Sequence, residues 1–94
     1  PASVSSSLTE AEVILIDKLK QSFKYGEDSL KYGAQDHELS WIFNNMVLAY
    51  GLYYEVTKDG QSLIAARNYI EKGKSLPDAN RQTWDDLTAW LNKI

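Results

Sequence analysis

The main hydrophobic pattern of the chain lies between Leu39 and Val56, where apolar side chains recur at spacings of three and four residues. This spacing predicts one long helix with two apolar stripes on roughly opposite sides. The first stripe comprises Leu39, Ile42, Phe43, Met46, Tyr50 and Tyr53, and the second comprises Leu48, Leu52 and Val56. A helix that is apolar on almost every side is buried between neighbours, so we expect other helices to cover both stripes.

A first helix is predicted before this segment. Thr9 is a good N-cap residue, and Glu12 three residues later completes a capping box. We expect the helix to begin at Glu10 and to end at about Lys24, because Gly26 stands where a left-handed residue closes a helix.

The connections on either side of the long helix carry their own signals. Residues 29–35 are predicted either as a short helix or turn, or as a segment that runs straight into the long helix. Asp36 is expected to cap the start of the long helix. The pair Asp59-Gly60 is a stop-and-turn signal, so the long helix should end at Thr57 or Lys58.

Two further helices are predicted after this turn. The fourth runs from about Gln61 or Ser62 to Lys74. Asp78 is expected to cap a fifth, from Ala79 to near Ile94. The fifth has a clean stripe at spacings of three, four and three, which comprises Trp84, Leu87, Leu91 and Ile94, with Trp90 beside it.

The fold class that follows is all-α, because no segment shows the alternation of a strand. Short connections favour antiparallel neighbours, so we expect a compact antiparallel bundle of four to five helices. Residues 1–8 predict a flexible tail and residues 9–94 a single domain. Gly51 should permit close helix packing, and Gly73 should mark the fraying end of the fourth helix.

Composition and charge exclude several classes of function. The net charge is −3 and the isoelectric point is about 5.0, with scattered lysines and arginines, whereas a nucleic-acid binder usually has a basic face. No apolar run reaches the roughly 20 residues of a membrane helix, and no signal-peptide pattern is visible. We therefore expect no nucleic acid, no membrane and a cytoplasmic location. The chain has no cysteine, so thiolate metal sites and disulfides are excluded.

Residues for catalysis or metal binding are few. His37 is the only histidine, and its neighbours Asp36 and Glu38 point in other directions from a helix, which is poor ligand geometry. Histidine-phosphotransfer domains carry Lys and then Gly after their histidine, whereas Glu-Leu-Ser-Trp follows His37. No nucleophile motif and no phosphate-binding loop occur. We expect no enzyme activity, no metal and no cofactor, with His37 as a solvated residue of the first helical turn.

Aromatic residues are unusually frequent, with three Trp and six Tyr in 94 residues. Tyr and Trp anchor many protein interfaces, although any single one of them can also be a core residue with a solvated tip. We predict that five of them, from the long helix and those that follow it, bind a partner: Tyr50, Tyr53, Tyr54, Tyr69 and Trp90.

Residues 46–94 resemble one tetratricopeptide repeat followed by a closing helix. Five residues stand where that family places small, aromatic and proline residues: Gly51, Tyr54, Ala65, Tyr69 and Pro77. The turn around Asp59-Gly60 is about two residues too long for the family, and Lys72 replaces its usual small residue. The resemblance implies a scaffold that binds peptide or protein segments in a groove.

The function that these patterns favour is a small non-catalytic protein-interaction or regulatory adaptor domain with a protein or peptide partner. The alternative is an inhibitor or immunity-type protein that neutralises an enzyme or toxin through an acidic helical face. Acidic residues that could form such a face crowd the first half of the chain: Glu10, Glu12, Asp17, Glu27, Asp28, Asp36 and Glu38. Homodimerisation through spare apolar surface is compatible with either function.

Overall fold

The computed structural model describes residues 8–94, apart from the side chains of Asp36 and His37. This part of the chain forms four helices and no strand: α1 (Glu10–Lys31), α2 (Asp36–Thr57), α3 (Gly60–Lys74) and α4 (Arg81–Lys93). The predicted all-α class and four-helix bundle are confirmed. The predicted tail, apart from its last residue, and the predicted solvation of His37 lie outside the described residues.

α2 is the central helix of the bundle. It packs against α1, α3 and α4, and α3 also packs against α4. The backbone of α1 approaches that of α2 alone, so α1 forms one edge of the molecule. The resulting body is elongated and flat, with extents of 50 × 29 × 19 Å.

The core lies between α2, α3 and α4. Trp84 and Leu91 of α4 are almost completely buried, and they pack with Val47 of α2 and with Ala66 and Ile70 of α3. Burying one large apolar side chain contributes about 1.5–3 kcal/mol relative to leaving it in water. The stripe predicted for the last helix is therefore confirmed as the face that closes the bundle.

α1 begins as predicted but ends later. Its start carries the capping box, in which the Thr9 hydroxyl and the Glu12 carboxylate each accept a backbone N–H of the other residue. The predicted end at Gly26 is wrong, because Gly26 is buried within α1 and a Cβ there would overlap the Met46 thioether. The left-handed glycine that follows the helix is Gly33, with φ of 83°.

The segment between α1 and α2 contains a turn, as one of the two predictions had it, but the turn is shorter than predicted and lies at Tyr32 and Gly33. Its first residues belong to the last turn of α1, which ends at Lys31, and residues 32–35 form the break between the helices. The predicted Asp36 cap is also wrong, because Gln35 occupies the cap position and Asp36 is the first residue of α2.

The turn between α2 and α3 is tighter than predicted. α2 ends at Thr57 as expected, and Lys58 then adopts a left-handed conformation with φ of 60°. Asp59 caps α3 by accepting the Gln61 backbone N–H at 3.0 Å, so α3 already begins at Gly60. The side-chain cap makes a two-residue connection sufficient.

The start of the last helix differs from the prediction by two residues. Asn80, rather than Asp78, caps α4, because its side-chain oxygen accepts the backbone N–H groups of Gln82 and Thr83. Asp78 lies in the preceding turn, where the Ala79 N–H donates to the Leu76 carbonyl.

Two buried glycines fix how closely α4 approaches its neighbours. A Cβ at Gly51 would overlap the Trp90 ring, and a Cβ at Gly73 would overlap the Trp84 ring. The predicted role of Gly51 in close packing is confirmed. The prediction that Gly73 marks a frayed helix end is wrong, since Gly73 is a buried contact between α3 and α4.

Replacing either buried glycine by alanine should destabilise the fold by about 1–3 kcal/mol, because the added methyl group must displace an indole ring. Gly60→Ala is the matched control: Gly60 has open space around its Cβ position, so the change should be neutral or stabilising by up to about 1 kcal/mol. Urea denaturation measures both effects. An unchanged midpoint for Gly51→Ala and Gly73→Ala would contradict this account of the packing.

Candidate functional site

An aromatic stack of Phe23, Tyr50 and Tyr69 crosses α1, α2 and α3. The Phe23 and Tyr50 rings lie nearly parallel with centroids 4.1 Å apart, and the Tyr50 and Tyr69 rings follow at 5.9 Å. Tyr53 meets the Phe23 ring edge-on at 5.5 Å. Offset and edge-on ring pairs stabilise packing beyond the area that they bury. The stack thus links α1 to α3, although the backbones of these helices do not touch.

Glu27 faces the hydroxyl end of this stack. The Tyr50 hydroxyl donates a hydrogen bond to Glu27 Oε1 at 3.4 Å. Burial, the negative charge of Glu27, the neighbouring Tyr69 and this hydrogen bond together raise the pKa of Tyr50 to about 12. Burial, with a smaller contribution from Glu27, also raises the pKa of Tyr69. Both phenols therefore stay protonated at neutral pH and act as packing and hydrogen-bonding groups.

The five residues predicted to bind a partner occupy three separate places. Tyr50, Tyr53 and Tyr69 meet at the aromatic stack. Tyr54 lies apart, with the Lys58 ammonium 5.4 Å from its ring centroid, and Trp90 packs against Gly51. All five side chains are half-buried, and four of them make internal packing contacts: Tyr50, Tyr53, Tyr69 and Trp90. Partner binding by these residues stays a prediction.

A groove opens between α1 and α2 on the face opposite the aromatic stack. Leu48 and Leu52 lie two residues before and after Tyr50, so they point away from it on the helix. The groove has a volume of about 700 Å³. Its floor consists of buried residues from both helices, namely Leu19, Gly26, Ile42, Met46 and Ala49, and its remaining lining is Lys18, Gln21, Ser22, Tyr25, Trp41, Asn45, Leu48 and Leu52.

Three exposed large apolar side chains lie at the rim of this groove. Tyr25 is 66% exposed, Trp41 is 62% exposed and Leu48 is 38% exposed. The expectation that helices cover both stripes of α2 is therefore met only in part for the second stripe, because Leu48 is exposed whereas Leu52 and Val56 are half-buried. The reason is that α1 packs beside this stripe and not across it, and α3 and α4 lie on the other side of α2.

Trp41 and Tyr25 were not among the predicted binding residues. A signal for Trp41 exists in the sequence, because Trp41, Asn45, Leu48 and Leu52 follow one another at spacings of four, three and four and so share one side of α2. Tyr25 could not be assigned in the same way, since Gly26 was interpreted as the end of the helix.

The described residues hold no group of three or more histidine, cysteine or acidic side chains that could bind a metal ion. Within the same range no helix is long and apolar enough to cross a membrane. The chemistry that the site offers is therefore the burial of apolar and aromatic surface.

Comparison with known proteins gives no match of this chain to a family model, to a curated protein or to a solved structure. The tetratricopeptide resemblance stays a prediction.

Trp41 should dominate the accessible tryptophan fluorescence, because Trp84 is completely buried and Trp90 is only partly exposed. Trp41→Phe should lower the slope of acrylamide quenching clearly more than Trp90→Phe. Steady-state fluorescence of the two variants measures this. Equal slopes for wild type and Trp41→Phe would show that the groove rim is covered in solution.

Alkaline pH should destabilise the protein through Tyr50. Below pH 10 the folded and unfolded states both keep the phenolic proton; above it the unfolded chain ionises while folded Tyr50 resists up to about pH 12. Stability should therefore fall between pH 10 and 12, and Tyr50→Phe should reduce the fall. Urea denaturation across this pH range measures the loss of stability, with the surface change Tyr32→Phe as control. An equal effect of both changes would contradict the assignment of the pH dependence to Tyr50.

Glu27→Gln should lower the pKa of Tyr50 only in part, since burial is the largest cause of its raised value.

Proposed function

We propose that this protein is a non-catalytic, helical protein-interaction module whose α1–α2 groove binds an apolar helical segment of a partner protein. The observation that carries the proposal is the exposed rim of this groove, where Trp41 and Tyr25 are more than half exposed above an apolar floor. Exposed aromatic rings beside a concave apolar surface are typical of binding sites.

The dimensions of the groove suit a short helix. Its α2 wall extends from Trp41 to Leu52, which corresponds to roughly 16 Å or about three helical turns. A helix that lies in a groove is recognised through apolar anchors at positions i, i+3 or i+4, and i+7. Ala49 on the floor has a small side chain, so such a helix approaches α2 closely at this point.

The groove is a better candidate than the aromatic stack for energetic reasons. Phe23, Tyr50 and Tyr69 already gain their stacking energy within the folded chain. Trp41 and Tyr25 still expose most of their rings to water, so a partner that covers them gains the hydrophobic free energy of that burial. Large aromatic side chains of this kind are frequent hot spots of binding.

The alternative function, neutralisation of an enzyme or toxin through an acidic face, receives less support. One side of α1 carries four exposed charged residues at spacings of three, four and four: Asp17, Lys20, Lys24 and Asp28. The charge on this side is mixed rather than acidic. Because basic residues are also scattered, we propose a protein partner in the cytoplasm rather than a nucleic acid or a membrane.

Selection from a display library of short helical peptides with an apolar stripe tests this function. We expect binders whose affinity drops about tenfold or more with Trp41→Ala and with Tyr25→Ala, since interface aromatics typically contribute over 1 kcal/mol. Tyr32→Ala is the matched control, because Tyr32 is 78% exposed but lies outside the groove. Fluorescence anisotropy with labelled peptides measures the affinities.

Three results would overturn the proposal. The first is a library that yields no binder. The second is a set of binders that are insensitive to Trp41→Ala and Tyr25→Ala. The third is a concentration-dependent dimer, seen by analytical ultracentrifugation, that Trp41→Ala abolishes, since the groove would then be an interface between two copies of this chain.

A further inference from the structure

The lining of the groove carries an uneven distribution of charge, which the proposed function has not yet taken into account. Of all the residues that line it, only Lys18 carries a formal charge at neutral pH. The other polar lining residues are the neutral side chains of Gln21, Ser22 and Asn45, together with the phenol of Tyr25. No carboxylate belongs to the lining itself, although Glu38 lies in a smaller adjoining pocket with Tyr25 and Trp41, so Lys18 is the one positive charge of the groove.

The surroundings of Lys18 within α1 leave this charge without an acidic neighbour. The residues one turn away on the helix are Ile14, Leu15, Gln21 and Ser22, all of them neutral. The nearest acidic residue in sequence, Asp17, points to another side and accepts a hydrogen bond from Gln21 at 2.9 Å. In residues 8–94 the structure gives Lys18 no ion pair with the chain's own carboxylates.

The position of Lys18 gives the groove two distinct ends. α1 and α2 run antiparallel, because Gly26 lies against Met46 while Phe23, one turn earlier, stacks on Tyr50. Tyr25 and Trp41 therefore mark an aromatic end, and Lys18 lies towards the end that contains Leu52. Lys18 and Tyr25 are seven residues apart on α1, which corresponds to about two helical turns or roughly 10 Å.

A helix seated in the groove would remove water from around the Lys18 ammonium. A charge that loses its hydration without gaining a counter-charge is costly, and a like charge opposite it is worse. An acidic side chain on the bound helix would compensate the lost hydration. The groove can thus select among apolar helices by penalising those that place a neutral or basic residue here.

We propose that Lys18 makes the α1–α2 groove selective for an acidic amphipathic helix. This helix carries a bulky apolar anchor that packs at Tyr25 and Trp41 and, about two turns away, a Glu or Asp that pairs with Lys18. The inference rests on the proposed function, since it names the chemistry of the partner that the groove binds.

The test compares two synthetic helical peptide libraries that share one leucine stripe. One library has Glu, and the other Lys, fixed seven residues from an apolar anchor. We expect the Glu library to give wild-type binders about tenfold tighter at low salt, with a smaller advantage at high salt. Lys18→Glu should reverse this preference. Lys20→Glu is the matched control, because this exposed lysine on the same helix lies outside the groove and should leave the preference unchanged.

The outcomes separate this inference from the function on which it rests. If neither library binds, or if Trp41→Ala leaves the affinity unchanged, the proposed binding function of the groove is overturned. If both libraries bind equally through Trp41, and Lys18→Glu changes nothing, the groove binds helices without charge selection and the inference is overturned. If Lys20→Glu reverses the preference as well as Lys18→Glu, the effect comes from the net charge of α1, which also overturns it.

Discussion

The close contact between α1 and α2 is the constraint on which the surface of this protein depends. Gly26 of α1 lies against the Met46 side chain of α2. Any larger residue at position 26 would increase the distance between the two helices. Because α1 reaches no other helix backbone, this contact and the aromatic stack hold it in place. The aromatic stack covers one flank of α1, and the other flank stays open and forms the groove together with α2.

The opposite side of α2 is covered by other helices. There, indole rings of α4 occupy the space that Gly51 and Gly73 leave free, and the core closes without a large concavity. α2 therefore needs apolar residues all round for two reasons. Part of its surface builds a closed core, and another part lines an open groove. Hydrophobicity alone does not distinguish the two uses, since both require the same residue types.

The helices and their core faces could be predicted from the sequence because they follow from local signals. The capping box at Thr9 and the stripe of α4 depend only on residues within a few positions of each other. The predicted caps Asp36 and Asp78 were one and two residues from the actual caps Gln35 and Asn80, whereas the errors about packing arose where a residue serves a distant contact. Gly26 and Gly73 looked like helix ends, but each is small because a side chain from another helix lies against it. The exposed groove escaped prediction for the same reason, since the direction from which α1 approaches α2 is a tertiary property.

The attachment of α1 to a single neighbour also has a consequence for how the molecule moves. Elements with few tertiary partners open at lower free energy than a core and exchange their amide hydrogens sooner. α2, α3 and α4 share the main core, whereas the buried residues of α1, Leu19 and Gly26, lie outside that core and the partly buried Leu30 of α1 packs against the core. We therefore expect α1 to open locally at lower free energy than the helices that share the main core. Any such opening separates the two walls of the groove, so a ligand that contacts both walls opposes it and stabilises α1.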